Sequence, residues 1–135
     1  MTKRFIIGID IGGTNLVVGA VAEDGSRLVA LSSEPTRSEE GPDAVLRRLA
    51  DQARRTVAQA RAEVPGAEIL GVGVGAPGPL DTREGIVFLT PNLGWVNLPL
   101  RRIVHERLGM PAALDNDANC AVLGEWWMGA ARGTC

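Results

Sequence analysis

The stretch from Phe5 to Val21 constrains this chain more than any other. An apolar, β-branched run, Phe5-Ile6-Ile7-Gly8-Ile9, reaches a carboxylate at Asp10 and passes through Ile11-Gly12-Gly13-Thr14-Asn15. It resumes at once as Leu16-Val17-Val18-Gly19-Ala20-Val21. Two such runs joined through glycines read as a hairpin with polar groups at its tip. Glycines let backbone N–H groups approach an anion, Thr14 can donate a further hydrogen bond, and Asp10 stands where a hydrated cation would be held beside it. The stretch thus reads as a phosphate and magnesium hairpin. The same two glycines would equally serve an ordinary tight hairpin that needs positive φ at Gly12 and Gly13.

Other phosphate loops fit less well. A dinucleotide-binding or P-loop glycine stretch opens a helix whose N-terminus holds the phosphate, whereas Leu16 to Val21 is branched and strand-like. A P-loop also needs a lysine after its glycines, and the only lysine of this chain is Lys3. Neutralising a phosphate would therefore fall to backbone N–H groups and a metal ion.

Beyond the hairpin, Glu23-Asp24-Gly25-Ser26 reads as a turn and Arg27 to Ser33 as a third antiparallel strand. Glu34 to Pro42 is polar, with two prolines and a glycine, and reads as a surface connection, with Asp43 starting a helix. From Ala44 to Val64, residues Val45, Leu49, Ala53, Val57 and Ala60 recur at spacings of three and four, the stripe of an amphipathic helix. Its other face carries Arg47, Arg48, Asp51, Arg54, Arg55 and Arg61, either a solvated face or a basic patch for an anion. Pro65-Gly66 ends this helix.

A fourth strand, Glu68 to Gly75, becomes glycine-rich at its end and runs into Ala76-Pro77-Gly78-Pro79-Leu80-Asp81. Small residues at the carboxyl end of a strand either admit a ligand or let the chain leave through a Pro-Gly turn. Gly85 to Leu89 reads as a short strand, and Pro99 to Leu108 as a helix with stripe Leu100, Ile103, Val104, Leu108 and a C′ glycine at Gly109. His105 lies off the centre of that stripe, with no acidic or cysteine partner at ligand spacing. Met110 to Leu114 reads as a fifth strand, followed by Asp115-Asn116-Asp117-Ala118-Asn119. A helix marked by Ala118, Ala121, Val122, Glu125 and Trp126 then ends near Gly129. Asp117 would stand at that helix's N-terminus, either as a cap or as an ionised carboxylate competent to accept a proton. Cys120 and the pair Trp126-Trp127 read as helix packing.

With 135 residues, 45% of them hydrophobic and 22% charged, the chain suffices for one domain with a real core. A net charge of -2 gives no electrostatic reason to expect nucleic acid or an anionic membrane, so small metabolites are the expected partners. Without a membrane-length apolar run or a signal-peptide segment, the expected location is cytoplasmic. Cys120 and Cys135, with no metal-ligand spacing, read as free thiols there.

Several of these segments together resemble one family. Ile9-Asp10-Ile11-Gly12-Gly13-Thr14-Asn15 is similar to the first phosphate motif of the actin, Hsp70 and hexokinase superfamily, and most closely to its ROK branch (repressor, open reading frame, kinase). Gly73-Val74-Gly75-Ala76-Pro77-Gly78-Pro79-Leu80-Asp81 resembles that family's sugar-side loop. Thr90-Pro91-Asn92-Leu93-Gly94-Trp95 resembles the segment whose Asn bonds a sugar hydroxyl, and Asn116-Asp117 the pair of sugar ligand and catalytic base.

The resemblance implies an α/β, RNase H-like (actin-like ATPase) domain with a five-stranded mixed sheet of order 3-2-1-4-5 flanked by helices. It implies ATP-dependent phosphorylation of a hexose, glucose by preference. That preference comes from the segments around Pro91-Asn92 and Gly124-Glu125-Trp126-Trp127, which look most like bacterial ROK glucokinases. ATP and Mg2+ would be held through Asp10, Gly12, Gly13, Thr14 and Asn15. The sugar would be held through Gly78, Asn92, Asn116 and Asp117, with Asp117 the base and Asp10, Gly78, Asn92 and Asp117 facing one cleft. Residues 1–135 would form the N-terminal domain only. The second phosphate loop, the adenine site and a structural Zn2+ site would belong to a second half, and the full-length form would be a homodimer. Two alternatives are a non-catalytic sugar-binding module and the sugar-sensing part of a ROK repressor. A repressor would carry a DNA-binding helix-turn-helix ahead of these motifs, whereas the first strand here begins by about Arg4.

Overall fold

The structure is a computed structural model that describes residues 2–76, 79–90 and 93–116, the side chains of Asp115 and Asn116 excepted. Along the chain run β1 (Arg4–Ile11), β2 (Asn15–Ala22), β3 (Leu28–Pro35), a 3-10 turn (Ser38–Glu40), α1 (Pro42–Glu63) and β4 (Glu68–Ala76). They are followed by β5 (Leu80–Asp81), β6 (Ile86–Thr90), β7 (Trp95–Leu98), α2 (Leu100–Leu108) and β8 (Ala112–Asn116). The main sheet has the order β3-β2-β1-β4-β8. β1 pairs antiparallel with β2 and β2 with β3, while β1–β4 and β4–β8 are parallel. This is the expected 3-2-1-4-5 order, β8 being the fifth strand of that sheet.

Period-two alternation sets what each face of the sheet buries. Phe5, Ile7, Ile9 and Ile11 of β1 are fully buried in one cluster with Leu16 and Val18 of β2, Val72 and Val74 of β4, and Val45, Leu49 and Ala53 of α1. Burying each large aliphatic side chain there contributes about 1.5–3 kcal/mol. The opposite face is built differently. Ile6 is exposed on it, and Gly19, Gly8 and Gly73 lie side by side across β2, β1 and β4. Gln52, fully buried on α1, ties helix to sheet: its Nε2 donates to the Leu16 carbonyl at 3.0 Å and to Ser32 Oγ at 3.0 Å.

At the edge strand β3 the ladder with β2 is interrupted. Ala20 pairs with Val29 and Val18 with Ser32, so Ala30 and Leu31 together oppose Gly19, and Ala30 takes a left-handed φ of 57°. This is a β-bulge, and a Cβ on Gly19 would stand 3.1 Å from Leu28 Cδ1 and 3.2 Å from Leu31 Cδ1.

Several boundaries and one sheet differ from expectation. β3 runs on to Pro35, and α1 starts at Pro42, which occupies the N1 position, where the absent N–H is no loss. A separate sheet, β5-β6-β7, forms around the one strand foreseen in that region. Its flanking strands are only two and four residues long, too short to carry a period. β8 is shifted two residues along from Met110–Leu114. The Pro111 carbonyl accepts from Val72 N–H at 2.9 Å, and pairing then continues until Asp115 opposes Gly75 and Asn116 opposes Ala76. The helix expected from Ala118, with Cys120 and Trp126-Trp127, lies outside the described residues, as does Cys135. Among the described residues no helix is long and apolar enough to cross a membrane.

Candidate functional site

Because β3, β1, β4 and β8 all run in one direction, their carboxyl ends at Pro35, Ile11, Ala76 and Asn116 reach one edge of the sheet, where the β1–β2 tip also projects. This is the end at which open α/β sheets bind ligands. One row across the sheet reads Val17, Asp10, Gly75, Asp115. Asp10 and Asp115 are therefore two strands apart, about 10 Å between backbones, with a glycine between them.

The tip itself is compact. Gly12 N–H donates to the Asn15 carbonyl at 2.9 Å, and a Cβ on Gly12 would stand 3.1 Å from that same oxygen. Positive φ is found at Gly25, Gly41, Gly66, Gly85, Gly94 and Gly109, but not at Gly12 or Gly13. A tight hairpin that needs its glycines for positive φ is thus ruled out. Gly13, Thr14 and Asn15 are exposed and Asp10 is half-buried. No described residue accepts from the N–H of Gly13 or Thr14. The tip therefore offers backbone donors, with no side chain at Gly12 or Gly13, beside one carboxylate.

From the side of β3 the tip is held by a residue that the sequence did not single out. Thr36 is fully buried, its Oγ1 donates to the Gly12 carbonyl at 2.8 Å, and its N–H donates to the Thr14 carbonyl at 2.9 Å. Its own carbonyl accepts from Arg48 of α1, whose other terminal nitrogen bonds Glu40. Glu34 to Pro42 is therefore more than a surface connection. Thr36 was hidden because a single buried hydroxyl inside a polar, proline-containing stretch has no periodic signal.

The expected residues divide cleanly. Asp10, Gly12, Gly13, Thr14 and Asn15 stand together at the tip, and the backbone of Asn116 reaches the same edge at the end of β8. Gly78, Asn92 and Asp117 lie outside the described residues. What flanks the first two is fixed: Phe88 N–H donates to the Pro79 carbonyl at 2.9 Å, and Leu93 and Gly94 N–H donate to the Thr90 carbonyl at 3.0 and 2.8 Å. A Cβ on Gly94 would lie 4.0 Å from Pro42, which puts the β6–β7 turn beside the start of α1.

The arginine face of α1 is engaged with carboxylates. Arg54 pairs with Asp51 at 3.0 Å, Arg55 with Glu34 at 2.9 Å, and Arg48 with Glu40. That favours the solvated-face reading, with Arg48, half-buried, as the exception. His105 is exposed at the end of α2, its Nδ1 2.8 Å from the Met110 carbonyl. Among the described residues no three His, Cys, Asp or Glu side chains gather as a metal site. The described contribution to a cation at the tip is then Asp10, which suits Mg2+, an ion usually held by one or two carboxylates together with substrate phosphates.

Comparison with known proteins gives a consistent result. The ROK family profile matches residues 6–135. A glucokinase from Thermotoga maritima is 42% identical over 134 residues, covering 98% of this chain and 40% of its own length. The xylose repressor of Caldicellulosiruptor bescii is 36% identical over 131 residues, covering 92% of this chain and 30% of its own. Among solved structures, a ROK family glucokinase from Streptomyces griseus in complex with glucose and AMPPNP superposes with a TM-score of 0.72. It is 34% identical, over 96% of this chain and 38% of that one. The chain spans about two fifths of the length of the curated glucokinases it matches.

Proposed function

The chain belongs to the ROK family, and from that premise we propose that it is the phosphate-holding N-terminal part of a cytoplasmic sugar kinase. The reaction would move the γ-phosphoryl group of ATP to a hexose hydroxyl, giving glucose 6-phosphate if the hexose is glucose. The observation that carries this reading is the β1–β2 tip. It presents N–H groups at Gly13 and Thr14 from which no described residue accepts, beside Asp10, at the edge where four strands end. The glucose and AMPPNP bound to the Streptomyces griseus relative support a hexose and ATP as the two substrates.

Phosphoryl transfer asks mainly for in-line positioning and for stabilisation of charge on the phosphoryl oxygens. In the proposed site Gly12, Gly13, Thr14 and Asn15 would hold the phosphates and Asp10 would hold the hydrated Mg2+. When bound, that ion neutralises phosphate charge. Gly78, Asn92 and Asn116 hold the sugar, and Asp117 accepts the hydroxyl proton as the oxygen–phosphorus bond forms and the bond to the ADP oxygen breaks. Adenine contacts, a structural Zn2+ and a homodimer interface are assigned to the part of the relatives that this chain does not span.

Glucose-dependent formation of ADP, assayed on this chain and on a full-length parent, tests the proposal; a parent that binds glucose but forms no glucose 6-phosphate would overturn it. That outcome would favour a second reading, a sugar-sensing part of a repressor, for which the similarity to the xylose repressor speaks. A thermal-shift screen with glucose, N-acetylmannosamine, fructose and allose identifies the sugar.

A further inference from the structure

We propose that Thr36 is the positioning residue of the phosphate hairpin, aiming the Gly13 N–H by holding the Gly12 carbonyl and bracing the turn by holding the Thr14 carbonyl from behind. The inference rests on the kinase reading above. Its physical basis is the planar trans peptide, in which the C=O of one residue and the N–H of the next point in opposite directions. Thr36 Oγ1 holds the Gly12 carbonyl at 2.8 Å, so the Gly13 N–H is directed away from β3. Thr36 N–H holds the Thr14 carbonyl at 2.9 Å, so the Thr14–Asn15 peptide is fixed against the end of β3. The first contact sets the Gly13 donor outward and the second fixes the far side of the turn, at a tip whose Gly13, Thr14 and Asn15 are exposed.

Thr36 is itself held. It is fully buried, and its carbonyl accepts from Arg48, which is braced in turn by Glu40. A path of hydrogen bonds thus runs from α1 through Thr36 to the tip and sets the Gly13 donor before any phosphate arrives. A hydroxyl is required for this, and a β-branched side chain of the same size without one is not enough.

Titration of a full-length parent with Mg2+ and AMPPNP tests the inference. Thr36→Val keeps the side-chain shape and removes the hydroxyl; with the loss of one hydrogen bond, it is expected to weaken AMPPNP about tenfold. Thr36→Ser should bind within about twofold of the parent, since its hydroxyl can make the same bond. Arg48→Gln, which frees the Thr36 carbonyl without touching the hairpin, should weaken binding about threefold, less than the direct loss of a hydrogen bond. A folded Thr36→Val chain that binds like the parent, or a Thr36→Ser chain that fails as Thr36→Val does, overturns the inference. If Thr36→Val does not fold, Arg48→Gln decides, and parent-like binding there overturns it. A full-length parent that binds no AMPPNP sinks the kinase reading and this inference together, whereas equal affinities in that parent and its variants sink this inference alone.

Discussion

At Gly85 the chain turns through a φ of +72°, and a Cβ there would stand 2.5 Å from the Cβ of Arg101. Arg101 also donates from its backbone to the Gly85 carbonyl and from its side chain to the Arg83 carbonyl. At Gly12 and Gly13 no positive φ occurs, and the turn is held by a hydroxyl that reaches across from the end of β3. Glycine is needed at the first place because a side chain there would add a collision with Arg101 to the strain of a left-handed φ. At the second, no left-handed φ demands glycine, and the side chain missing at Gly13 leaves its N–H open to approach. A turn of the first kind builds the scaffold and one of the second kind suits the proposed binding surface, so substitution should separate stability from function in opposite directions at the two.

The sharpest separation is expected at Asp117. Asp117→Asn in a full-length parent should lower phosphorylation by about 10²- to 10⁴-fold, the usual contribution of a positioned base, while glucose binding and melting temperature hold. Parent-like turnover would remove Asp117 from the mechanism. Gly85→Ala should do the reverse: left-handed strain and the collision with Arg101 together cost about 2–4 kcal/mol, read as a fall in chemical-denaturation midpoint, with AMPPNP affinity unchanged in the folded fraction. Gly13→Ala should move stability by less than about 0.5 kcal/mol yet weaken AMPPNP about tenfold, some 1.4 kcal/mol, because the methyl group crowds the donors. If Gly13→Ala lowers stability and leaves affinity alone, the comparison breaks.

The smallest effect belongs to the β2–β3 turn. Asp24 accepts from Ser26 Oγ at 2.6 Å and from Ser26 N–H at 2.9 Å, and these two bonds hold its carboxyl below the usual carboxylate range. A carboxyl depressed in the folded state adds stability that is present above the unfolded value and lost as pH falls through the folded one. An NMR titration should place its midpoint below that of an ordinary Asp, and Ser26→Ala should raise it without altering AMPPNP binding.

What the sequence made legible follows from how each feature is encoded. The elements β1, β2 and α1 could be anticipated because they carry long, regular apolar patterns, the order of the main sheet came from the family resemblance, and Asp10 to Asn15 stood out because six adjacent residues make a motif. Thr36 and Arg48 escaped since their roles depend on contacts 24 and 12 residues apart that leave no local pattern. β5 and β7 escaped because their pairing with β6, and not their own composition, makes them strands. The early end assigned to β8 has the same cause: Asp115 and Asn116 look like a helix lead-in, and only the ladder with Gly75 and Ala76 keeps them extended.

The bulge in β3 has a consequence for how copies of this chain behave at high concentration. A free sheet edge is a template on which another strand can add, the first step of edge-to-edge aggregation. Here Ala30 and Leu31 break the edge midway, and Pro35 closes its far end without an N–H to offer. An incoming strand would keep register only over Leu28-Val29 or over Ser32 to Glu34, stretches too short to hold it. The irregularity at Ala30 thus acts as a guard against fibre growth along the molecule's exposed flank.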